Sequence, residues 1–253
     1  MAFEGDITKY ENDFWFLKEM KDLLVEELLG MKQNQGDPTF SDSELKSGIF
    51  TETSDGREVR VILPGGLQPV LEYLEASMSE APSPLSSRDT GLPEGIKKEL
   101  CFVGFIGDKS DIGKSSAELQ REVMITDVNM VRELPEVEGL LAYLSGERAK
   151  GGDYGNLVLF RDRQVLQNLF KSTNHISAIS SLSPRFYTQV RIHSGLLQDG
   201  MTSSYFLLQK TLFLQYTLPP EDPGRRRVQM WRACREDSDV VKVVSRASSA
   251  WRC

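Results

Sequence analysis

Gly152-Asp-Tyr-Gly-Asn-Leu-Val-Leu-Phe-Arg-Asp162 is a glycine-flanked apolar run that leads directly into a helical polar–apolar pattern. Residues 155–160 read as a strand, because a short apolar run bounded by turn residues fits a buried strand. Residues 163–182 read as a helix. Ser183-Pro184 restarts it, with serine as N-cap and proline in the first turn, giving a second helical piece to residue 197. Working outward, residues 139–144 form a strand, and the glycine-rich turn after it permits a hairpin with 155–160. Residues 99–107 (Glu-Leu-Cys-Phe-Val-Gly-Phe-Ile-Gly) read as a buried strand, and 117–134 as a helix marked by Leu119, Val123, Val128 and Val131. Residues 207–218 form a long strand, and 228–231 with 240–244 an antiparallel edge. The order strand, helix, strand, strand, helix, strand is the ferredoxin-like split unit. The expected class is therefore α+β: an antiparallel sheet with helices on one face, to which an N-terminal helix and hairpin are added.

The first third is organised differently. Asp6 can cap a helix over residues 7–29, ended by Gly30, with Phe14, Leu17, Leu24 and Leu28 on one face. Residues 32–44 are polar and read as a loop. Residues 48–54 and 58–63 are two strands joined by Asp55-Gly56, a strong hairpin signal. A short helix covers 67–78. Pro82, Pro84 and Pro93 lie among serines and mark a linker. The expected organisation is a unit at 1–80 packed on the main domain, a linker at 81–98, and a ferredoxin-like domain with a C-terminal extension at 99–253.

The chain has 253 residues, 40% of them hydrophobic and 26% charged, which is ample for a core and ordinary for a soluble protein. The net charge of -7 argues against nucleic-acid or anionic-membrane binding, which needs a basic footprint. The basic run Arg225-Arg226-Arg227 follows a proline-rich turn and reads as solvated. Cys101, Cys234 and Cys253 are too far apart for a zinc site and too few for a disulfide scaffold, so a reducing compartment is expected. The N-terminal residues lack the order of a signal peptide, and no apolar run approaches a bilayer-spanning length. The expected location is cytoplasmic.

Both histidines, His175 and His193, follow the 155–160 strand. Histidine is the side chain most easily placed near its pKa at neutral pH. On a helix, Val165, Leu169, Phe170, Ile176 and Ile179 define a buried arc, and His175 falls at its margin, where it can look into a cavity or lie inert in solvent. His193 continues the stripe Phe186, Val190, Leu197, as a core histidine or a neutral base. Tyr187 and Arg191, four residues apart, can orient an acidic or phenolic ligand or form a surface pair. Two histidines alone make a poor metal site. Trp231 and Trp251 suit closure of a core or a pocket mouth. Residues 101–115 look like strand, phosphate loop, helix. A phosphate loop needs a glycine where Asp108 stands, however, and Gly107 comes one residue early.

The passage Leu157-Val-Leu-Phe-Arg-Asp-Arg-Gln-Val-Leu-Gln-Asn-Leu-Phe-Lys-Ser-Thr-Asn-His175 resembles the second half of the dimeric α+β barrel superfamily. That superfamily includes cofactor-independent monooxygenases, decarboxylases and stress-response barrels. The matching positions are Phe160, Asp162 and His175, and the resemblance covers residues 99–218. It implies a metal-independent, cofactor-free enzyme acting by acid–base chemistry on a small apolar or aromatic substrate. His175 would be the catalytic group, and Tyr154, Phe160, Tyr187, Arg191 and His193 would surround the substrate. A homodimer is compatible with it. The alternatives are a non-catalytic ligand-binding or assembly module and, third, nucleotide binding through the degenerate phosphate loop.

Overall fold

The computed structural model describes residues 10–33, 40–79, 99–165, 173–217 and 227–242. The linker expected at 81–98, the Asp6 cap, Arg225, Arg226 and Trp251 lie outside these residues. The chain order is α1 (Glu11–Gln33), α2 (Asp42–Ser47), β1 (Ile49–Glu52), β2 (Glu58–Ile62), α3 (Leu67–Met78), β3 (Leu100–Lys109), α4 (Asp111–Ser115), α5 (Ala117–Glu133), β4 (Leu140–Glu147) and β5 (Tyr154–Phe160). Next come α6 (Thr173–Ser177), a π-helical turn (Ala178–Leu182), α7 (Ser183–Phe186), β6 (Tyr187–Leu197), β7 (Tyr205–Thr217) and β8 (Arg227–Lys242).

All eight strands form one antiparallel sheet in the order β1-β2-β4-β5-β3-β6-β7-β8. The run β4-β5-β3-β6, with α5 between β3 and β4, is the ferredoxin-like arrangement. The fold is therefore α+β, as the sequence pattern indicates. The fourth strand of the unit is not the one expected, though. Residues 187–197 are a strand, and 207–218 contributes the next strand outward.

The error lies in the period. Tyr187-Thr-Gln-Val-Arg-Ile-His193 is rich in β-branched and aromatic residues, and its alternate positions face opposite sides of the sheet. Read at 3.6 residues per turn, the same residues give a false stripe. Pro184 sits in the first turn of α7, which ends at Phe186 after four residues. Similarly, 228–231 and 240–242 belong to one continuous strand, β8. Gly30 lies inside α1, because Leu28 and Met31 are both buried and their packing outweighs the weak helix propensity of glycine. The polar 32–44 stretch hides a helix start at α2, where Ser41 and Glu44 form a capping box.

Helices cover both faces of the sheet. On one, α1 buries Phe14, Leu17, Met20, Leu24 and Leu28, and α3 buries Val70, Leu71 and Leu74, in one core with Phe102, Ile106, Leu144, Leu157 and Leu159. The seat for α1 is made of glycines. A Cβ at Gly104 would lie 2.4 Å from Leu17, and one at Gly155 would lie 2.2 Å from Phe16. Arg57 also ties α1 to the β1–β2 hairpin, donating to both carboxylate oxygens of Glu19 at 2.7 Å and to Asp55 at 2.8 Å. On the opposite face, α5 through Leu119 and the 173–186 segment through Leu182 and Phe186 pack over Tyr187, Val190 and Leu214.

Candidate functional site

The central strand β3 shows two different environments. Its side chains toward α1 are sealed: Leu100, Phe102 and Ile106 are at most 1% exposed. Those toward α5, namely Cys101, Val103 and Phe105, remain only half-buried. The strand register extends this opening sideways. Asn156 lies beside Phe105 on β5, Ile192 lies beside it on β6, and Leu212 follows on β7. Ser194 lies beside Val103. These side chains are half-buried as well. Partly exposed apolar residues in mid-sheet mean that, among the described residues, the helical layer does not close over them. Only Leu119 and Val131 of α5 are fully buried.

A polar chain borders this floor. Asn156 Nδ2 donates to the Tyr143 hydroxyl at 2.9 Å, and that hydroxyl donates to Asp127 Oδ1 at 3.3 Å. Arg60 Nη1 reaches Asp127 Oδ2 at 3.3 Å, and Arg60 Nη2 donates to the Ser47 carbonyl at 2.6 Å. The Arg60 Nε is buried with no partner among the described residues. Burial pushes the Asp127 carboxyl above the usual range, and the Arg60 guanidinium only partly offsets it. Burial and the Asp127 charge raise Tyr143 far above an ordinary phenol, so it remains a donor. At the neighbouring edge, Lys109 Nζ stands 3.9 Å over the Tyr154 ring and 3.5 Å from Glu147. Burial raises the Cys101 thiol, which makes it a poor nucleophile at neutral pH.

The sequence-derived site residues divide between the two faces. Tyr154, Phe160 and Tyr187 lie on the α5 face. Phe160 is fully buried at the end of β5, and Tyr187 packs edge-on against Phe105 with centroids 5.6 Å apart. His175 is half-buried in α6, beside Asn174, whose amide donates to Glu133 of α5 at 2.5 Å. Arg191 and His193 point the other way, toward α1, so they do not join Tyr187. The register shift after Asp108 leaves Thr188 unpaired, and this bulge reverses the facing between Tyr187 and Gln189.

Arg191 and His193 instead meet Asp13, which the sequence reading missed. His193 Nε2 lies 3.0 Å from Asp13 Oδ2, and Nδ1 lies 3.0 Å from Thr211 Oγ1. Arg191 Nε donates to Asp13 at 2.5 Å, and Arg191 Nη1 to Asp108 at 2.8 Å. Arg148 bridges the same two aspartates at 3.3 and 3.2 Å. Two aspartates and two arginines thus balance. Burial opposes ionisation of Asp13, but hydrogen bonds from His193 and Arg191 hold its carboxyl down to about 2. Burial also depresses His193, so its imidazole is neutral. An ionised Asp13 only accepts, so Nε2 carries the hydrogen and Nδ1 accepts from Thr211. The chain Asp13–His193–Thr211 has the connectivity of a nucleophilic relay. Yet His193 is 0% exposed, wedged against Phe14 and Tyr10 at 4.9 and 5.4 Å, and Thr211 is buried. Its geometry is that of a pin holding α1 to the sheet.

The phosphate-loop reading also meets an obstacle. The Gly113 amide donates to Ser110 Oγ at 3.0 Å, and a Cβ there would lie 2.2 Å from the Phe186 carbonyl. That glycine closes a helix cap and offers no cradle. Among the described residues, no three His, Cys, Asp or Glu side chains gather as metal ligands, and no helix is long and apolar enough to cross a membrane. A sequence signal for the missed residues did exist. Asp127 stands four residues from both Val123 and Val131, and Asp13 four from Leu17, so each carboxylate interrupts a buried stripe.

No family model and no curated protein matches the chain. Among solved structures, it is similar to a point mutant of SnoaB, a cofactor-independent oxygenase from Streptomyces nogalater. The TM-score is 0.27 at 13% identity, over 39% of this chain and 89% of that one.

Proposed function

We propose that the half-open face under α5 binds a small apolar or aromatic molecule and performs acid–base chemistry on it. One observation carries the reading: an apolar floor in mid-sheet (Cys101, Val103, Phe105, Ile192) ends at Asn156, and Asn156 leads through Tyr143 to Asp127. Ligand sites are mostly apolar with a few convergent polar groups. Asn156 uses one amide hydrogen on Tyr143, and among the described residues its carbonyl and second hydrogen are left for a ligand. A carboxylate lifted by burial suits proton transfer, because its basicity moves toward neutral pH. In this reading the proton passes from an activated carbon or phenol of the substrate to Asp127, or to His175 in the segment packed on α5. The anion so formed reacts onward with dioxygen in an oxygenation or regains the proton at another carbon in an isomerisation, and in a decarboxylation the same group instead gives a proton to the carbanion left by carbon dioxide.

The test uses anilinonaphthalene sulfonate as an apolar aromatic probe of the folded chain. Saturable binding is expected, with loss in Phe105→Arg and in Asn156→Leu while both variants still unfold cooperatively, at melting temperatures lowered by no more than several degrees. Binding that ignores both substitutions overturns the reading. Once a substrate is identified, Asp127→Asn and His175→Ala separate the two proton acceptors, since general acid–base catalysis contributes about 10²–10⁴ in rate. A second reading, a non-catalytic assembly module, draws on the outer surface of the same helical layer.

A further inference from the structure

The outer face of α5 is apolar where solvent should favour polar residues. Met124 is 66% exposed and Ile125 is 56% exposed, with Val128 beside them. Ile176 and Ile179 of the neighbouring segment are exposed too. Two contacts fix how these segments lie. Asn174 meets Glu133, and Arg185 meets Glu122 at 3.0 Å. The 173–186 segment therefore runs antiparallel to α5, which sets Ile179 level with Val128. Five exposed apolar side chains thus lie along two adjacent helical segments. Scattered exposed apolar residues are ordinary, but a contiguous row of this kind marks an interaction surface.

The charges around the row say what fits it. Arg121, Met124, Ile125, Val128 and Arg132 occupy positions i, i+3, i+4, i+7 and i+11 of one helix stripe. Both arginines are exposed and neither has an ion-pair partner among the described residues. At 1.5 Å per residue they stand about 16 Å apart, one at each end of the apolar row. α5 as a whole is acidic, but on the stripe itself these two arginines are the charges that frame the apolar row. We infer that this surface docks an amphipathic helix of a partner protein that carries carboxylates at both ends of its apolar stripe. Such a helix lays its apolar face between α5 and the 173–186 segment, and its acidic ends pair with Arg121 and Arg132. A second copy of this chain fits poorly. A two-fold axis that sets α5 on α5 opposes arginine to arginine, whether the helices run parallel or antiparallel. The inference is independent of the ligand reading, since its residues face away from the sheet.

The experiment measures binding of three labelled synthetic helices by fluorescence anisotropy, using the full chain. All three share one leucine stripe at i, i+3, i+4 and i+7, and their ends carry glutamate, glutamine or lysine. The glutamate-ended helix is expected to bind at least about tenfold tighter than the lysine-ended one, and the preference should fade with added salt. Arg121→Glu with Arg132→Glu is expected to reverse the order. Ile125→Ser with Val128→Ser is expected to weaken all three while lowering the melting temperature by no more than a few degrees, because both side chains are exposed. The inference is overturned if the three helices bind alike or not at all. It is equally overturned if sedimentation shows self-association that Ile125→Ser abolishes, or if phosphatidylserine vesicles bind in an Ile125-dependent way.

Discussion

One sheet presents two unlike faces, and β3 contributes to both. Toward α1 it gives Phe102 and Ile106 to a sealed core, and Asp108 to an ionic knot with Asp13, Arg148 and Arg191. Toward α5 it gives Cys101, Val103 and Phe105 to a floor that stays half-open. The two carboxylates under the helices differ in the same sense. Asp13 is held well below its ordinary pKa and Asp127 is lifted above it. A carboxylate with several cationic and hydrogen-bonding partners stabilises the fold when ionised, whereas one that is desolvated with few partners does not. The molecule thus separates a face built for stability from a face held at some cost to stability, and the latter is where function is sought.

The sharpest way to break this comparison is to cut the knot. Asp13→Ala leaves His193 and one side of Arg191 buried without their anion, and removing one partner of a buried pair costs about 3–5 kcal/mol. Urea unfolding is expected to show a loss in that range, with α1 released first in hydrogen exchange. A loss under about 1 kcal/mol, the size seen for exposed pairs, would mean that the knot is solvated and the faces are alike. A second cut compares neighbours on one strand. Phe102→Ala removes a ring that is 1% exposed and should cost about 3–5 kcal/mol. Phe105→Ala removes a half-buried ring and should cost about 1–2 kcal/mol, because part of that surface is already in water. Equal losses would show that the α5 face is closed.

Much of this architecture was legible in the chain. The strands at 99–107, 139–144 and 155–160, the helix at 117–134 and the Asp55-Gly56 hairpin carry local signals that the fold respects. Residues 187–197 were not legible as a strand, because one strand buried on both faces mixes a polar and an apolar set. Arg191 and His193 serve the knot on one side while Val190 and Ile192 serve the core on the other, and that mixture mimics a helical stripe. The site was harder still. Asn156, Tyr143 and Asp127 come together only through sheet register and helix placement, so no spacing in the sequence announces them. His193 drew attention as one of two histidines, but its partner Asp13 lies 180 residues away.

The pH dependence of stability sharpens the contrast. Burial lowers His193 below its reference of 6.5, so between the two values the unfolded chain binds a proton that the folded imidazole does not. Stability contributed by this residue is complete above about pH 6.5 and declines as the pH falls through the folded value. Asp13 adds a second decline in the same direction. Its share is complete above the reference of 3.8 and disappears as the pH falls through about 2, for a total of roughly 2 kcal/mol. Urea midpoints measured downward from neutral pH should therefore bend twice, and His193→Gln should remove the upper bend alone. A profile that stays flat to about pH 4 would place His193 in water rather than in the knot.

Asp127 supplies the smallest effect and the opposite sign. Its folded pKa lies above the reference of 3.8, so the folded chain holds the proton more tightly than the unfolded one. Stability from this residue is complete below the reference and is lost as the pH rises through the folded value. At neutral pH its ionised form is therefore a slight burden. Asp127→Asn keeps an acceptor for the Tyr143 hydroxyl, removes the buried charge and leaves Arg60 on the Ser47 carbonyl. The variant is expected to match or exceed the parent by up to about 1 kcal/mol at neutral pH, an advantage that shrinks in acid. Asp13→Asn is expected to show the reverse, a deficit at neutral pH that shrinks in acid. Unfolding curves at about pH 8 and pH 4 for Asp127→Asn, and at about pH 8 and pH 2 for Asp13→Asn, read the two signs directly. If the two carboxylates respond alike, the faces share one electrostatic design and Asp127 is no better a proton acceptor than any other paired aspartate.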